Sequence, residues 1–244
     1  MTIWHAVAHR RAPVVVGHRG GRGEGWPAEN SLAAFERART EGAAAVETDA
    51  RLAATGEVVL WHDPEHRGTR IAHTPLDELA RRGIARLDDA LAWARERGVA
   101  LNVELKRDLP APLRLARSVA RVLRHAGAGT KVDVLVSSFD PALVGAMAGL
   151  LPSVPRAWLL HARHDRVAIP LARAAFPPLV HAIHPERSQA LRHASKMIAW
   201  RSRGLAVGVY TVNDVDEARR LAALSVDWIF TDAPRAMTSA FAVT

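Results

Sequence analysis

Short apolar runs that close on polar or ionisable residues recur along the chain, separated by longer stretches of helical composition. The first three runs are Val14 to Val16 with Gly17, Ala43 to Val46, and Val58 to Trp61. Runs of this length read as buried strands. Asn30 to Glu41 has helical composition, begins on an N-cap residue type and stops before Gly42, so the chain opens as strand, loop, helix, strand. Val58 to Trp61 is an extra extended segment. A short helix over Pro75 to Arg82, with proline in its first turn, and a second over Leu87 to Arg97, ended by Gly98, follow it.

From Ala100 the alternation is regular. Strands are expected over Ala100 to Leu105, Val132 to Ser137, Arg156 to Leu160, Leu179 to Ile183, Ala206 to Tyr210 and Trp228 to Phe230. Helices are expected over Ala111 to His125, Pro141 to Leu151, Arg166 to Ala175, Ser188 to Arg203 and Val215 to Leu224. Leaving the extra segment aside gives eight main strands. Right-handed crossovers at this spacing predict an α/β fold, a (β/α)8 TIM barrel with a short insertion after the second strand region. An open doubly wound sheet is the runner-up, but no Gly-x-Gly-x-x-Gly follows a strand. The glycine-rich Gly17-His18-Arg19-Gly20-Gly21 suits a catalytic loop better than a dinucleotide cradle.

A length of 244 residues fits one such barrel, expected as a single domain over 1–244. No apolar tract reaches the roughly 18 residues of a membrane span. The first dozen residues scatter His5, His9, Arg10 and Arg11 among apolar positions, without a leader's continuous hydrophobic region, so a cytoplasmic protein is expected. The absence of cysteine excludes disulfides, thiolate metal sites and cysteine nucleophiles. The net charge of +8 is carried almost wholly by arginine, with lysine only at Lys106, Lys131 and Lys196. These arginines are interspersed along the expected helices and read as solvated faces. With no basic run interleaved by aromatics, a nucleic-acid partner is not expected.

In a parallel barrel the carboxyl ends of the strands gather at one open edge, where loops supply chemistry. His18, Arg19, Glu47, Asp49 and His62 fall at the ends of the first three runs. Glu47 and Asp49 are two apart and share one strand face, and an ionised pair that close is costly unless a cation bridges it. As a bare pair they read equally well as strand-end acceptors of loop amides. Glu104 brings a third carboxylate to the same edge, and three oxygen ligands suit Mg²⁺ or Ca²⁺ better than zinc. Lys106, two residues on, faces the same way and is placed to sit beside a phosphate or to pair with a carboxylate. His18 and His62, across a pocket, could divide general acid and base roles in phosphodiester cleavage. Arg19 offers a planar fork for phosphate oxygens, or a surface salt bridge. His66, His73, His125, His161, His164, His181 and His193 read as structural.

These residues carry a family resemblance. Gly17-His18-Arg19-Gly20, Pro27-Ala28-Glu29-Asn30-Ser31 with Ala34-Phe35, Val46-Glu47-Thr48-Asp49, His62-Asp63, Asn102-Val103-Glu104-Leu105-Lys106, Ser137-Ser138-Phe139-Asp140, Tyr210-Thr211-Val212-Asn213-Asp214 and Thr231-Asp232-Ala233-Pro234 occur in order. The chain resembles the glycerophosphodiester phosphodiesterases, metal-dependent TIM-barrel enzymes. The resemblance implies that His18 and His62 are the catalytic histidines, that Glu47, Asp49 and Glu104 hold a divalent cation, and that Arg19 and Lys106 bind phosphate. It places Glu29 and Asn30 near the site, Asn30 orienting the His18 loop or, as favoured here, capping the first helix. His184 and Tyr210, at later strand ends, would line the substrate pocket.

The implied reaction is hydrolysis of a small-molecule glycerophosphodiester, such as glycerophosphocholine or glycerophosphoethanolamine, to glycerol 3-phosphate and an alcohol. Two departures bear on headgroup choice: the segment after His62-Asp63 is compressed to Pro64 to Arg70, and Tyr210 replaces the family's usual tryptophan. Two other readings compete. A lysophospholipase D-type enzyme would need an acyl groove, for which Trp26, Trp61 and Trp158 are candidate lining. A non-catalytic barrel binding an anionic ligand would have no need of paired histidines around a metal cluster.

Overall fold

A computed structural model describes residues 2–4, 12–107, 112–164 and 179–242. Strands β1 (Val14–Gly17), β2 (Ala45–Leu52), β6 (Ala100–Leu105), β7 (Val134–Ser138), β8 (Arg156–Leu160), β9 (Ala182–Pro185), β10 (Ala206–Val209) and β11 (Trp228–Thr231) pair in parallel. Their order is β1-β11-β10-β9-β8-β7-β6-β2, and Val16↔Ala45 and Gly17↔Val46 close the ring between β1 and β2. This is the expected barrel, with helices packed around it.

The insertion has its own logic. β2 overshoots the rim, and β3 (Val58–Leu60) folds back antiparallel along it with Ala50 opposite Leu60 and Leu52 opposite Val58. The chain therefore descends, the Trp61 amide donates to the Asp49 carbonyl, and His62 is delivered beside Asp49 in mid-β2, not from the top of a barrel strand. The compressed segment then forms a two-residue hairpin, β4 (Glu65–His66) and β5 (Thr69–Arg70). Arg67 and Gly68 both have positive φ there, as a tight hairpin turn requires.

Period-two alternation divides the core. Outward residues such as Val46, Leu101, Val103 and Val134 pack under Leu91, Leu115, Val119 and Met147 of the surrounding helices. Inward residues at the bottom of the barrel are small: Ala45, Ala100, Ala157, Ala182 and Ala206 leave room for Trp4 and Trp228, whose rings meet edge-on at 5.4 Å. The indoles plug the bottom, so a cavity can open only toward the carboxyl ends.

Several expected boundaries shift. The sixth barrel strand is Ala182–Pro185, displaced toward the carboxyl end of the expected run, because Ala182 and His184 are the residues in register with Ala157 and Leu159 of β8. The helix expected over Ser188 to Arg203 is two, Arg187–Arg192 and Ala194–Arg201, broken at His193 with φ −117° and ψ 40°. The first helix spans Leu32–Thr40 and its N-cap is Ser31, whose hydroxyl accepts from the Ala34 amide. Asn30 does not cap it. The helix expected over Arg166 to Ala175 lies outside the described residues.

Candidate active site

β2 and β6 run side by side with Glu47↔Asn102 and Asp49↔Glu104 in register, so alternation points Glu47, Asp49, Asn102 and Glu104 into the barrel. Glu47, Asp49 and Glu104 are all buried and offer ligand oxygens within 4.8 Å of one another. Lys106 Nζ bridges two of them, 2.8 Å from Asp49 Oδ1 and 2.6 Å from Glu104 Oε1. Burial opposes the Lys106 charge, but these two carboxylates outweigh it and hold its pKa above the ordinary value. Burial alone would raise Asp49; Lys106 and Arg19 reverse that and keep it below the usual carboxylate range.

Glu47 lacks such a partner. Burial, and then repulsion from Asp49 and Glu104, push its carboxyl well above the usual range. One oxygen accepts the Arg19 backbone N–H at 3.0 Å, and Oε1 has no hydrogen-bond partner. A buried, orphaned carboxylate oxygen beside two more carboxylates, with no sulfur donor near, fits a hard divalent cation.

The Gly17-His18-Arg19-Gly20 loop is shaped by the helix behind it. A Cβ at Gly17 would sit 2.9 Å from Ala38 Cβ, and one at Gly20 would sit 2.8 Å from both the Ala34 carbonyl carbon and Phe35 Cδ1, so the motif's glycines let the loop lie against that helix. Arg19 takes a left-handed turn at φ 52° and directs its guanidinium to Asp49 Oδ2 at 3.1 Å and Glu29 Oε1 at 3.0 Å. His18 Nδ1 contacts Asp232 Oδ1 at 2.8 Å, while Nε2 is 3.9 Å from Glu47 Oε2. Burial would raise Asp232, but hydrogen bonds from His18, Arg22 and Asn213 hold its carboxyl far below the usual range. Across the site, His62 Nδ1 contacts Asp63 Oδ1 at 2.7 Å. Arg51, buried beneath, grips the His62 carbonyl with Nε at 3.1 Å and Nη2 at 2.6 Å. Burial first, and then the Lys106 charge, lower the His62 pKa.

All of this opens into a cavity of about 340 Å³. His18, Arg19, Glu47, His62, Glu104, Lys106, His184 and Tyr210 line it, bringing together most residues singled out in the sequence. Glu29 and Asn30 stand behind the lining. Asn30 sits at φ 59°, and its carboxamide accepts from Thr48 Oγ1 at 2.7 Å and the Asp49 amide at 3.0 Å while donating to Asp49 Oδ2 at 2.9 Å. It brackets the strand end that carries the acid. Tyr210 donates its hydroxyl to the Leu160 carbonyl at 2.7 Å, so the aromatic face is what it presents.

Sequence reasoning assigned no role to Asp232, Asn213, Arg22, Arg51 or Asn102, and read His161 as structural although it lines the cavity. Closure of the barrel supplies the missing signal for Asp232: Gly17 is in register with Thr231, which sets the next residues, His18 and Asp232, side by side. The apolar wall comes from Phe139, Leu159 and Phe230, and Trp26, Trp61 and Trp158 are not in the lining. Among the described residues, the three tryptophans offered as lining for the lysophospholipid reading stand outside this cavity.

Comparison with known proteins gives one consistent result. The sequence model of the glycerophosphoryl diester phosphodiesterase family matches residues 18–236. A glycerophosphodiester phosphodiesterase of Bacillus altitudinis is 25% identical over 243 residues, covering 90% of this chain and 94% of its own. An Oleispira antarctica phosphodiesterase, solved with the product sn-glycerol-3-phosphate, superposes with a TM-score of 0.81 at 25% identity, covering 94% of this chain and 96% of its own. A Silicibacter pomeroyi structure shares the fold with a TM-score of 0.84 at 21% identity, covering 99% of this chain and 97% of its own.

Proposed function

A match over residues 18–236 makes this chain a member of the glycerophosphoryl diester phosphodiesterase family, and from that premise we propose that it is a divalent-cation-dependent enzyme hydrolysing glycerophosphodiesters to glycerol 3-phosphate and an alcohol. The observation that carries the reading is the buried trio Glu47, Asp49 and Glu104, with an orphaned Glu47 oxygen, of which Glu47 and Glu104 line the same cavity as His18 and His62. Glu47, Asp49 and Glu104 would hold Mg²⁺ or Ca²⁺, which when bound supplies polarisation of a phosphoryl oxygen.

The chain's own groups do the rest. Arg19 and Lys106 line the cavity as fixed cations, kept charged by their carboxylate neighbours, and offset the negative charge that grows on the phosphoryl oxygens. His62, held neutral by burial and the Lys106 charge, accepts a proton from the attacking hydroxyl. His18 delivers a proton from Nε2 to the leaving alkoxide, its ring oriented by the Asp232 carboxylate on Nδ1. Asp63 does the corresponding job for His62. No helix among the described residues is long and apolar enough to cross a membrane; we assign the enzyme to small water-soluble substrates in the cytoplasm.

The test is release of glycerol 3-phosphate from glycerophosphocholine and glycerophosphoethanolamine with Mg²⁺, with Ca²⁺ and with chelator. Metal-dependent release that is lost in His18→Ala and in His62→Ala is expected. Release that persists in chelator, or that survives either substitution within a few-fold, overturns the metal or acid-base assignment respectively.

A further inference from the structure

β2 carries more than the acids of the carboxylate cluster. Alternation sends Val46, Ala50 and Leu52 outward into the core and turns Glu47, Asp49 and Arg51 the other way, all three buried. Arg51 is the last of that row, and it does not line the cavity. The fold does not need a guanidinium there. Arg51 pairs with Val59 of β3, and the flanking pairs Ala50↔Leu60 and Leu52↔Val58 are apolar. Burying a charged side chain is costly unless its donors are used. Two of the Arg51 donors, Nε at 3.1 Å and Nη2 at 2.6 Å, converge on one atom, the His62 carbonyl oxygen.

That oxygen lies where the chain leaves the sheet. The Trp61 amide donates to the Asp49 carbonyl at 2.9 Å, and beyond this rung His62 joins no backbone hydrogen bond among the described residues. The His62 side chain is 36% exposed, and the hydrogen bond of its ring goes to Asp63, the next residue along, itself 68% exposed. An exposed neighbour on the same loop orients the ring without fixing where the loop stands. Arg51 fixes it, because the two bonds are charge-assisted, about twice as strong as neutral ones. They tie the His62 backbone to the strand that carries Glu47 and Asp49.

We propose that Arg51 is a positioning residue for the reaction: by holding the His62 carbonyl, it sets the place of the histidine ring relative to the carboxylates two and four residues back on its own strand. This rests on the reading of His62 as an acid-base group and adds what keeps that group in place. Misplacing a reacting group by about 1 Å costs about 100-fold in rate. Since Arg51 stands outside the cavity, its loss falls on kcat and leaves KM and cation binding nearly unchanged.

The experiment is a double-mutant cycle on glycerophosphocholine with the metal-loaded enzyme. Arg51→Met should lower kcat about 30- to 100-fold, with KM and the calorimetric affinity for Mg²⁺ or Ca²⁺ within about twofold of the parent. Arg51→Lys, which keeps a cation but only a point donor, should recover about fivefold or more of that loss. In a His62→Ala background, Arg51→Met should cost less than about twofold, because the group it positions is gone. Should Arg51→Met not fold, Arg51→Gln, neutral and polar, carries the same comparison. Losses that multiply in the double variant, a cation affinity that falls about tenfold, or a kcat equal to the parent's each overturn the proposal.

A second arm does not depend on turnover. In protein labelled with ¹³C at histidine Cε1, the His62 signal is the one that His62→Ala removes. It should shift or broaden in Arg51→Met while the His18 signal stays in place. An unmoved His62 signal, or equal movement of both, overturns the proposal. If wild type releases no glycerol 3-phosphate, or His62→Ala releases it at the wild-type rate, the hydrolytic reading fails, and the labelled histidine alone decides whether Arg51 holds it.

Discussion

Replacing Asn30 separates two physical pictures of the loop before the first helix. As an N-cap it would be worth about 1 kcal/mol, the usual cost of removing a capping side chain. As the bracket observed, it makes three buried hydrogen bonds, to Thr48 Oγ1, the Asp49 amide and Asp49 Oδ2. Two neutral bonds at about 1 kcal/mol each and one to a carboxylate at about 1.5–3 kcal/mol give roughly 3–5 kcal/mol. Asn30→Gly isolates this sum, because glycine accepts the φ of 59° without strain. Asn30→Ala should lose about 1 kcal/mol more for a Cβ in the left-handed region, and Ser31→Ala, the actual cap, should lose about 1 kcal/mol. Urea denaturation of the three variants with chelator present measures all of this. If Asn30→Gly falls within about 1 kcal/mol of Ser31→Ala, the bracket does not hold β2 and the reasoning fails.

Asp232→Asn removes the carboxylate that orients His18 and should lower kcat by roughly one to two orders of magnitude with little change in KM, read from steady-state kinetics; an unchanged kcat would show that His18 needs no such support. Because burial and the Lys106 charge lower the His62 pKa from 6.5, a base at this position stays unprotonated to more acid pH. The acid limb of kcat/KM should therefore lie below 6.5, and a bound cation pushes it the same way; a limb above 6.5 contradicts the assignment of His62 as base. Glu104→Gln should weaken Mg²⁺ or Ca²⁺ binding at least about tenfold by calorimetric titration, since ligand charge sets affinity in oxygen sites. Affinity equal to the parent's would remove Glu104 from the ligand set.

What could be read from the sequence was whatever local pattern decides. Leu87–Arg97 and Ala100–Leu105 fall where expected, because a helix ended by glycine and a strand that alternates Leu101, Val103 and Leu105 with Ala100, Asn102 and Glu104 carry their own boundaries. Glu104 and His18 could be read because they stand at the carboxyl ends of barrel strands, which converge in any parallel barrel, whereas β2 runs on past Glu47 and Asp49 to Leu52 and His62 arrives from the antiparallel β3. Features that depend on two distant segments could not. Asp232 reaches His18 only through the β1–β11 pairing, and Arg51 reaches the His62 carbonyl only because β3 doubles back on β2. Asn30 misled because its residue type suits a cap as well as a bracket, and only burial against Asp49 tells them apart.

The same alternation that stabilises the fold makes the site expensive. Along β2, Val46 faces the helices and contributes to the core, while its neighbours Glu47 and Asp49 face inward and must be desolvated. Two of the three buried acids are offset by Lys106, and Asp49 also by Arg19. Glu47 gets one backbone amide and the repulsion of both others, and its raised pKa means that the ionised form opposes folding at neutral pH. Glu47→Gln keeps an acceptor for the Arg19 amide and deletes that charge, so with chelator present it should raise stability by ~1 to 2 kcal/mol. Its pH dependence checks the sign: a group whose folded pKa is raised favours folding when protonated, so the gain from Gln should shrink as pH falls below the folded pKa of Glu47. With Mg²⁺ or Ca²⁺ at saturating concentration the order should invert, because the parent gains binding free energy that the variant has lost. Urea midpoints in chelator and in metal decide it. A Glu47→Gln protein less stable than the parent in chelator would mean that Glu47 holds the barrel together, and that its charge is not a cost the enzyme carries for a cation.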